Sequence, residues 1–370
     1  MNIPFLNLSP AHLSIATEMQ TAFKSVYDNN WFILGERVKQ FEKEYAEFNR
    51  TRFAIGTSNG LDALTLCLLS LGIKEGDEVI VPSNTFIASV LAVSFTRATP
   101  VFVEPDTRTY NLDPSRLVDA INDRTKVIMP VHLYGQACEM HEIMKIAGDN
   151  ALFVIEDNAQ AHGSSFDGKL TGSWGHINAT SFYPGKNLGA LGDGGAITTD
   201  DEVFAAAAKK LQNYGSAAKY QHEIMGFNMR LDEMQAAFLS VKLQNLEKWT
   251  AERKKIASWY DENLSKIGDL ILPFIHPKSD HVFHLYVVRT SKRDELRKHL
   301  KDKGIGTLVH YPIPPHLQKA YEHLGYAKGD FPIAEELAQS SLSLPLWPGM
   351  TEQHVEYIAA QIKSYFEAHN

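Results

Sequence analysis

Apolar residues recur at helical spacing through the first fifty positions. Leu13, Ala16, Met19, Phe23 and Val26 share one face of residues 11–27, and Val38, Phe41, Tyr45 and Phe48 repeat the pattern. Short apolar runs bounded by turn residues follow: RFAIGTSNG, EVIVPSN, TPVFVEP, KVIMPVHLYG and LFVIEDNA. Helical stretches such as Leu61, Leu64, Leu68 and Leu71 separate most of them. Continuous apolar strands alternating with helices predict an α/β fold whose mostly parallel sheet is sandwiched by helices. Ligands of such sheets sit beyond the carboxyl ends of the strands. Polar and aromatic residues cluster there: TSNG after RFAIG, SNTF after EVIVP, HLYGQ after VIMPV, DNAQAHG after LFVIE.

The pattern changes near residue 245. Leu246, Trp249, Arg253, Ile256 and Tyr260 predict one long amphipathic helix, HVFHLYVV a strand, RDELRKHLKDKG a helix, and GTLVHYPIPP a strand running into a proline turn. A last helix carries Val355, Ile358, Ile362 and Tyr365 on one face. The expected organisation is a large domain over residues 1–245 and a smaller C-terminal α+β domain over 246–370, firmly packed together.

Composition narrows the function. Of the 370 residues 44% are apolar and 22% charged, a globular rather than a disordered profile. The net charge of −8, with no lysine/arginine block, argues against nucleic acid as a partner. MNIPFLNLSP has no basic region before an apolar run, and no apolar stretch reaches the length of a membrane span, so no membrane partner is expected. Cys67 and Cys138 are too few for a disulfide framework and too far apart for a zinc pair. These features predict a reduced, cytoplasmic protein.

The stretch SFYPGKNLGALGDGGAITTDD places a single lysine, Lys186, between glycine-containing turns. A nucleotide-binding P-loop would need glycine at position 180 and Ser or Thr after the lysine; Thr180 and Asn187 stand there instead. A dinucleotide fingerprint fails too, because the strand-like AITTD follows the glycines. A lysine forming a Schiff base with pyridoxal phosphate remains. That cofactor needs a carboxylate for its pyridine nitrogen, and Asp157 ends a predicted strand. Its phosphate needs donors at a helix start, which Ser58, Asn59 and Gly60 provide, with the Ser181 hydroxyl nearby. Its ring needs a flat apolar partner, and Phe86 follows a strand. Each residue also has an ordinary reading, as cap, turn or core; the coincidence of four demands carries the inference.

The chain resembles the sugar aminotransferases of the DegT/DnrJ/EryC1/StrS family. The resemblance runs nearly end to end, through NNWFILGERVKQFEKEYAEF, GTSNGLDAL, VPSNTFIAS, VHLYGQ, EDNAQAHG, SFYPGKNLGALGDGGAI, GFNMRLDEMQAAFL and HYPIPPHLQ. It implies the fold-type I aminotransferase architecture and pyridoxal 5'-phosphate as cofactor. Lys186 would be the Schiff-base lysine, Asp157 the partner of the pyridine nitrogen, Gln160 a hydrogen-bond partner of the ring hydroxyl, and Phe86 the stacking residue. Asn59, Gly60 and Ser181 would hold the phosphate, joined across a homodimer interface by Asn228.

The resemblance also implies transamination from L-glutamate to a nucleotide-linked keto sugar, since Lys186 is retained where the family's dehydratases carry histidine. Tyr183, three residues before Lys186, and His310 and Tyr311 would face the sugar. The expected substrate is a dTDP-3-keto-6-deoxyhexose and the product a 3-amino-3,6-dideoxyhexose, galacto preferred over gluco, for cell-surface glycans such as lipopolysaccharide O-antigen. A 4-keto sugar, a keto-cyclitol or a non-catalytic regulator on the same fold are the competing readings. His281 and His284, three apart on a predicted strand, fall on opposite faces, so no metal site is expected.

Overall fold

The computed structural model describes residues 1–369, and its centre is a seven-stranded sheet, five of whose strands come from the apolar runs. Strands β1 (Phe53–Thr57), β2 (Glu78–Pro82), β3 (Thr99–Val103), β4 (Thr125–Ile128), β5 (Phe153–Asp157), β6 (Ile177–Ser181) and β7 (Gly195–Thr199) lie in the order β1-β7-β6-β5-β4-β2-β3. β3, β2, β4, β5 and β6 pair in parallel, and β7 is antiparallel to both β6 and β1. The carboxyl ends of β1, β2, β5 and β6 therefore emerge on one edge, and β7 begins there. β2 is buried along its whole length, which is why its central Val79, Ile80 and Val81 are apolar in succession rather than alternating.

Helices α1 (Ser9–Leu13), α2 (Ala16–Asn29) and α3 (Glu36–Asn49) precede the sheet. α4 (Gly60–Ser70), α5 (Ile87–Phe95), α6 (Leu117–Ala120), α7 (Met140–Asp149) and α8 (Glu202–Leu211) connect or follow its strands, and α9 (Glu233–Leu243) packs on α2 and α3. The C-terminal part holds α10 (Leu246–Leu264), β8 (Tyr286–Arg289), α11 (Arg293–Asp302), α12 (Pro332–Ser340), β9 (Ser341–Leu344) and α13 (Glu352–Ala368). Its apolar core joins α10, α11, α13 and the β8–β9 pair, and takes in Ile3 from the amino end. In return Tyr321, Phe331 and Ala334 enter the core of the large sheet. Glu104, just after β3, fixes this exchange by accepting from the Ile333 and Ala334 amides at the start of α12 (2.7 and 3.0 Å).

Three expected elements differ. Residues 11–27 form two helices, broken at Ser14–Ile15, where the Ser14 hydroxyl donates to the Ala11 carbonyl and closes α1. The predicted stripe is not a continuous core face: Val26 is buried, but Leu13 and Phe23 are 75% and 48% exposed. In HVFHLYVV only Tyr286 onward is strand, because the Val282 and Leu285 amides pair instead with the Gly135 and Tyr134 carbonyls. GTLVHYPIPP forms no strand. Leu308 makes a single bridge to Ser343, and Pro312, Pro314 and Pro315 have no amide to continue a ladder. Among the described residues no helix is long and apolar enough to cross a membrane.

Candidate active site

The edge where β1, β2, β5 and β6 end opens into a cavity of about 880 Å³ between the sheet and the C-terminal part. Its contents follow from what each strand delivers.

β1 leads through Asn59 into α4. The Asn59 side chain caps that helix by accepting from the Asp62 amide at 2.8 Å, so the backbone at Asn59, Gly60 and Leu61 turns toward the cavity. Close packing makes glycine necessary: a Cβ on Gly60 would lie 2.6 Å from the Cβ of Ser181. The helix amino terminus and the Ser181 hydroxyl thus converge on one corner of the cavity. Ser58, expected here, does not line the cavity; its hydroxyl is bound to the Asp62 carboxylate. Replacing Gly60 with alanine should push α4 away from β6, weaken cofactor affinity at least about tenfold and cost about 1–3 kcal/mol of stability. Titration of the apoprotein with cofactor, and its thermal melt, check this.

β6 leads into the Lys186 loop. Ala190 donates to the Phe182 carbonyl at 2.7 Å and Lys186 to the Tyr183 carbonyl at 2.8 Å, so residues 182–190 close into a ring with Lys186 at its tip. Gly189 lets the ring close, since a Cβ there would meet the Pro184 carbonyl oxygen at 2.4 Å. Among the described residues Lys186 Nζ has no hydrogen-bond or ion partner. Burial draws its pKa from 10.5 to about 8, against the opposing pull of Asp157.

β5 ends at Asp157, 6% exposed, whose carboxylate accepts from the Ser89 hydroxyl at 2.7 Å and the Ala159 amide at 3.1 Å. Alternation along the strand sends its neighbour Glu156 to the other face, where His132 and the Gly172, Trp174 and Gly175 amides surround it. Gln160 also lines the cavity. Its carbonyl accepts from the Tyr134 amide (2.7 Å) and its amide donates to the Tyr311 hydroxyl (3.1 Å), leaving one Nε2 proton free. After β2, Phe86 lies at the amino end of α5 with its ring 5.2 Å from that of Tyr311.

The far wall comes from the C-terminal part. His310 and Tyr311 face the cavity, with His310 Nδ1 2.8 Å from the Ser343 hydroxyl, and Tyr183 stands at the mouth, 60% exposed. Burial and Lys186 hold His310 down to about 4. Burial, with Lys186 and Arg253, holds His284 well below the usual range. Both imidazoles are therefore neutral at physiological pH.

His284 is a cavity residue that its spacing did not reveal; it leaves the expected strand and binds Asn187, beside Lys186, at 3.2 Å. Its former companion His281 is buried elsewhere, accepting from the Phe283 amide. Phe5, Leu6 and Arg253 also line the cavity, from segments with no local signal of a site. Asn228 does not. It is exposed, bridging Asn213.

The relationships of the chain follow from family and structure. The model of the DegT/DnrJ/EryC1/StrS aminotransferase family matches residues 13–363. The chain belongs to this family. It is 48% identical over 363 residues to the dTDP-3-amino-3,6-dideoxy-alpha-D-galactopyranose transaminase of Aneurinibacillus thermoaerophilus, across 98% of this chain and 99% of that one. It is 44% identical over 365 residues to the dTDP-3-amino-3,4,6-trideoxy-alpha-D-glucose transaminase of Streptomyces venezuelae, across 99% and 96%. The structure of S. venezuelae DesV, in complex with a ketimine intermediate, superposes with a TM-score of 0.97 over 99% of both chains at 44% identity.

The protein is accordingly a pyridoxal-phosphate-dependent sugar aminotransferase of fold-type I architecture. The residues present fit that cofactor. An unpartnered amine, a buried carboxylate, and a helix amino terminus whose glycine leaves no room for a side chain line one cavity.

Proposed function

We propose that the enzyme transfers the amino group of L-glutamate to the C-3 keto group of a dTDP-linked 3-keto-6-deoxyhexose. The product is a dTDP-3-amino-3,6-dideoxyhexose, galacto in preference to gluco, destined for cell-surface glycans. The observation that carries the reaction type is Lys186, a half-buried amine without a protein partner among the described residues, in one cavity with Asp157. The 3-amino-sugar names of the two relatives at 48% and 44% identity support the substrate class, and the galactose configuration of the former supports the preference.

Bound pyridoxal phosphate supplies the electron sink for the substrate carbon as it loses its proton. Everything else falls to the protein. The α4 amino terminus and the Ser181 hydroxyl would hold the phosphate, and Asp157 would hold the proton on the ring nitrogen. Gln160 would offer its free Nε2 proton to the ring hydroxyl, and Phe86 would stack on the ring. Lys186, whose amine is about half neutral at pH 8, would hold and move the proton of the substrate carbon. Tyr183, His310 and Tyr311 orient the sugar.

In this reading the enzyme is a cytoplasmic homodimer with shared active sites, Asn228 of one protomer reaching the other's phosphate. The exposed aromatic and aliphatic run of Phe23, Tyr27, Trp31, Phe32 and Ile33 supports it, since apolar surface of that extent marks a contact face.

The test is spectroscopic. L-glutamate added to the purified holoenzyme should bleach its visible band and release one 2-oxoglutarate per site; a dTDP-3-keto-6-deoxyhexose should restore the band. A colourless protein that stays colourless with added cofactor would falsify the reading.

A further inference from the structure

Lys242, near the end of α9, is 3% exposed, and among the described residues no carboxylate lies within ion-pair distance of it. Its ammonium group donates to the Gly189 carbonyl at 2.6 Å and lies 3.1 Å from Nε2 of His12. Burial brings Lys242 down to about 8 and, with Lys242 beside it, keeps His12 below its ordinary value. A buried cation without a counter-ion is costly, and an apolar side chain would fill the same space more cheaply. The helix carboxyl end repays only part of that cost. What the lysine does with its two bonds is therefore the question.

Gly189 belongs to the ring of residues 182–190 that carries Lys186. On its other side this ring is held by Asn187, which donates to the Val282 carbonyl at 3.1 Å. His12 belongs to an amino-terminal strap. The strap starts at Ile3, whose backbone pairs with Gly304 and Gly306 (both 2.8 Å), and ends in α1 at His12. Between these anchors Phe5 and Leu6 form part of the cavity wall, and the Phe5 ring lies 5.7 Å from that of His310.

We propose that Lys242 is a positioning residue that ties the Lys186 ring to the amino-terminal strap, so that one buried ammonium group sets the catalytic lysine and the sugar-facing wall in register. The kinetic part of this inference rests on the proposed transamination; the tether itself does not. Gly189 fixes the ring at three residues from Lys186, close enough for a shift of the carbonyl to move Nζ. His12 fixes the strap, which touches the side of the cavity lined by His310. Loss of Lys242 should disturb both, and loss of His12 only the second.

The experiment uses full-length Lys242→Met, Lys242→Arg and His12→Ala holoenzymes. It reads amide hydrogen exchange in residues 1–14 and 183–191, the rate of the glutamate half-reaction, and KM for the keto-sugar acceptor. Lys242→Met should exchange at least about tenfold faster in both segments and slow the half-reaction roughly 10–100-fold, as small misplacements of catalytic groups do. Lys242→Arg, which keeps the charge and the donors, should recover part of both. His12→Ala should speed exchange in residues 1–14 alone and raise acceptor KM about fivefold or more, with the glutamate half-reaction within twofold of wild type.

Native exchange in both segments of Lys242→Met would overturn the proposal, as would native rates. If Lys242→Met does not fold, His12→Ala decides: unchanged exchange in the strap and unchanged acceptor KM reject the tether. If wild type shows no glutamate half-reaction, the transaminase reading fails, while the exchange data still accept or reject the tether.

Discussion

Replacing Lys186 with methionine should abolish turnover and, in the cofactor-free protein, raise thermal stability. The two effects have one cause. Burial holds the amine at about 8 in the folded chain against 10.5 for an ordinary lysine. At pH 8 about half of Lys186 is then neutral and able to act as nucleophile or base, where an ordinary lysine is well under about 1% neutral. The same displacement penalises the folded state. Above pH 10.5 the amine is neutral whether folded or unfolded, and nothing is lost. As pH falls from there toward 8 the unfolded chain takes up the proton first, and below 8 the full penalty applies, at most about 3 kcal/mol.

Methionine removes this penalty, so the Lys186→Met apoprotein should melt a few degrees above wild type at pH 6–7 and at nearly the same temperature above pH 10.5. Turnover should fall by about 10⁴-fold or more, the upper range of what general acid–base catalysis supplies. Paired melts across pH and a glutamate half-reaction assay measure both. Retained turnover would remove Lys186 from the chemistry. An apoprotein that melts lower at pH 7 would show that its aliphatic stem, not its amine, governs stability at this site.

How much of this site the sequence discloses depends on how local its geometry is. Asn59, Gly60, Phe86, Asp157, Gln160, Ser181 and Lys186 all stand within a few residues of a strand's carboxyl end. A parallel sheet gathers such ends on one edge, so identifying the strands is enough to place these residues together. Phe5, Leu6, Arg253 and His284 reach the same cavity through contacts between segments far apart in the chain, and nothing in their own neighbourhoods marks them. His284 is hidden for a specific reason. Residues 281–285 look like the start of a strand, but Gly135, at a φ of +104°, comes so close to the His284 amide that the 134–135 loop takes their hydrogen bonds.

Periodicity has a different blind spot. The stripe on α2 is real, yet it specifies an apolar face and not what covers it; Phe23 is 48% exposed. Ser58 shows the limit in the other direction. It lies beside a true helix start, but Asp62, within the first turn, takes its hydroxyl. Capping chemistry and ligand-binding chemistry use the same residue types, and only geometry separates them.

Asp157→Asn should lower kcat by about 10³-fold with the fold intact, the scale on which losing one well-placed electrostatic partner is felt. Asparagine keeps the shape of the side chain, and its carbonyl can still accept from the Ala159 amide or the Ser89 hydroxyl. What it cannot do is hold a proton on the ring nitrogen of the cofactor, because it carries no charge. Ser89→Ala separates charge from placement: the carboxylate remains and loses one of the two donors that orient it, so a reduction of about tenfold is expected. The substitution also acts on Lys186. Asp157 is the charge that opposes the effect of burial on that amine, so its neutralisation should bring the Lys186 pKa below about 8. In the apoprotein, the pH profile for acylation of Lys186 by a small amine-reactive reagent should therefore move to lower pH in Asp157→Asn and stay nearly in place in Ser89→Ala. If Asp157→Asn turned over within tenfold of wild type, the ring nitrogen would not depend on this carboxylate. An unmoved labelling profile would show that Asp157 and Lys186 are electrostatically independent across the cavity they share.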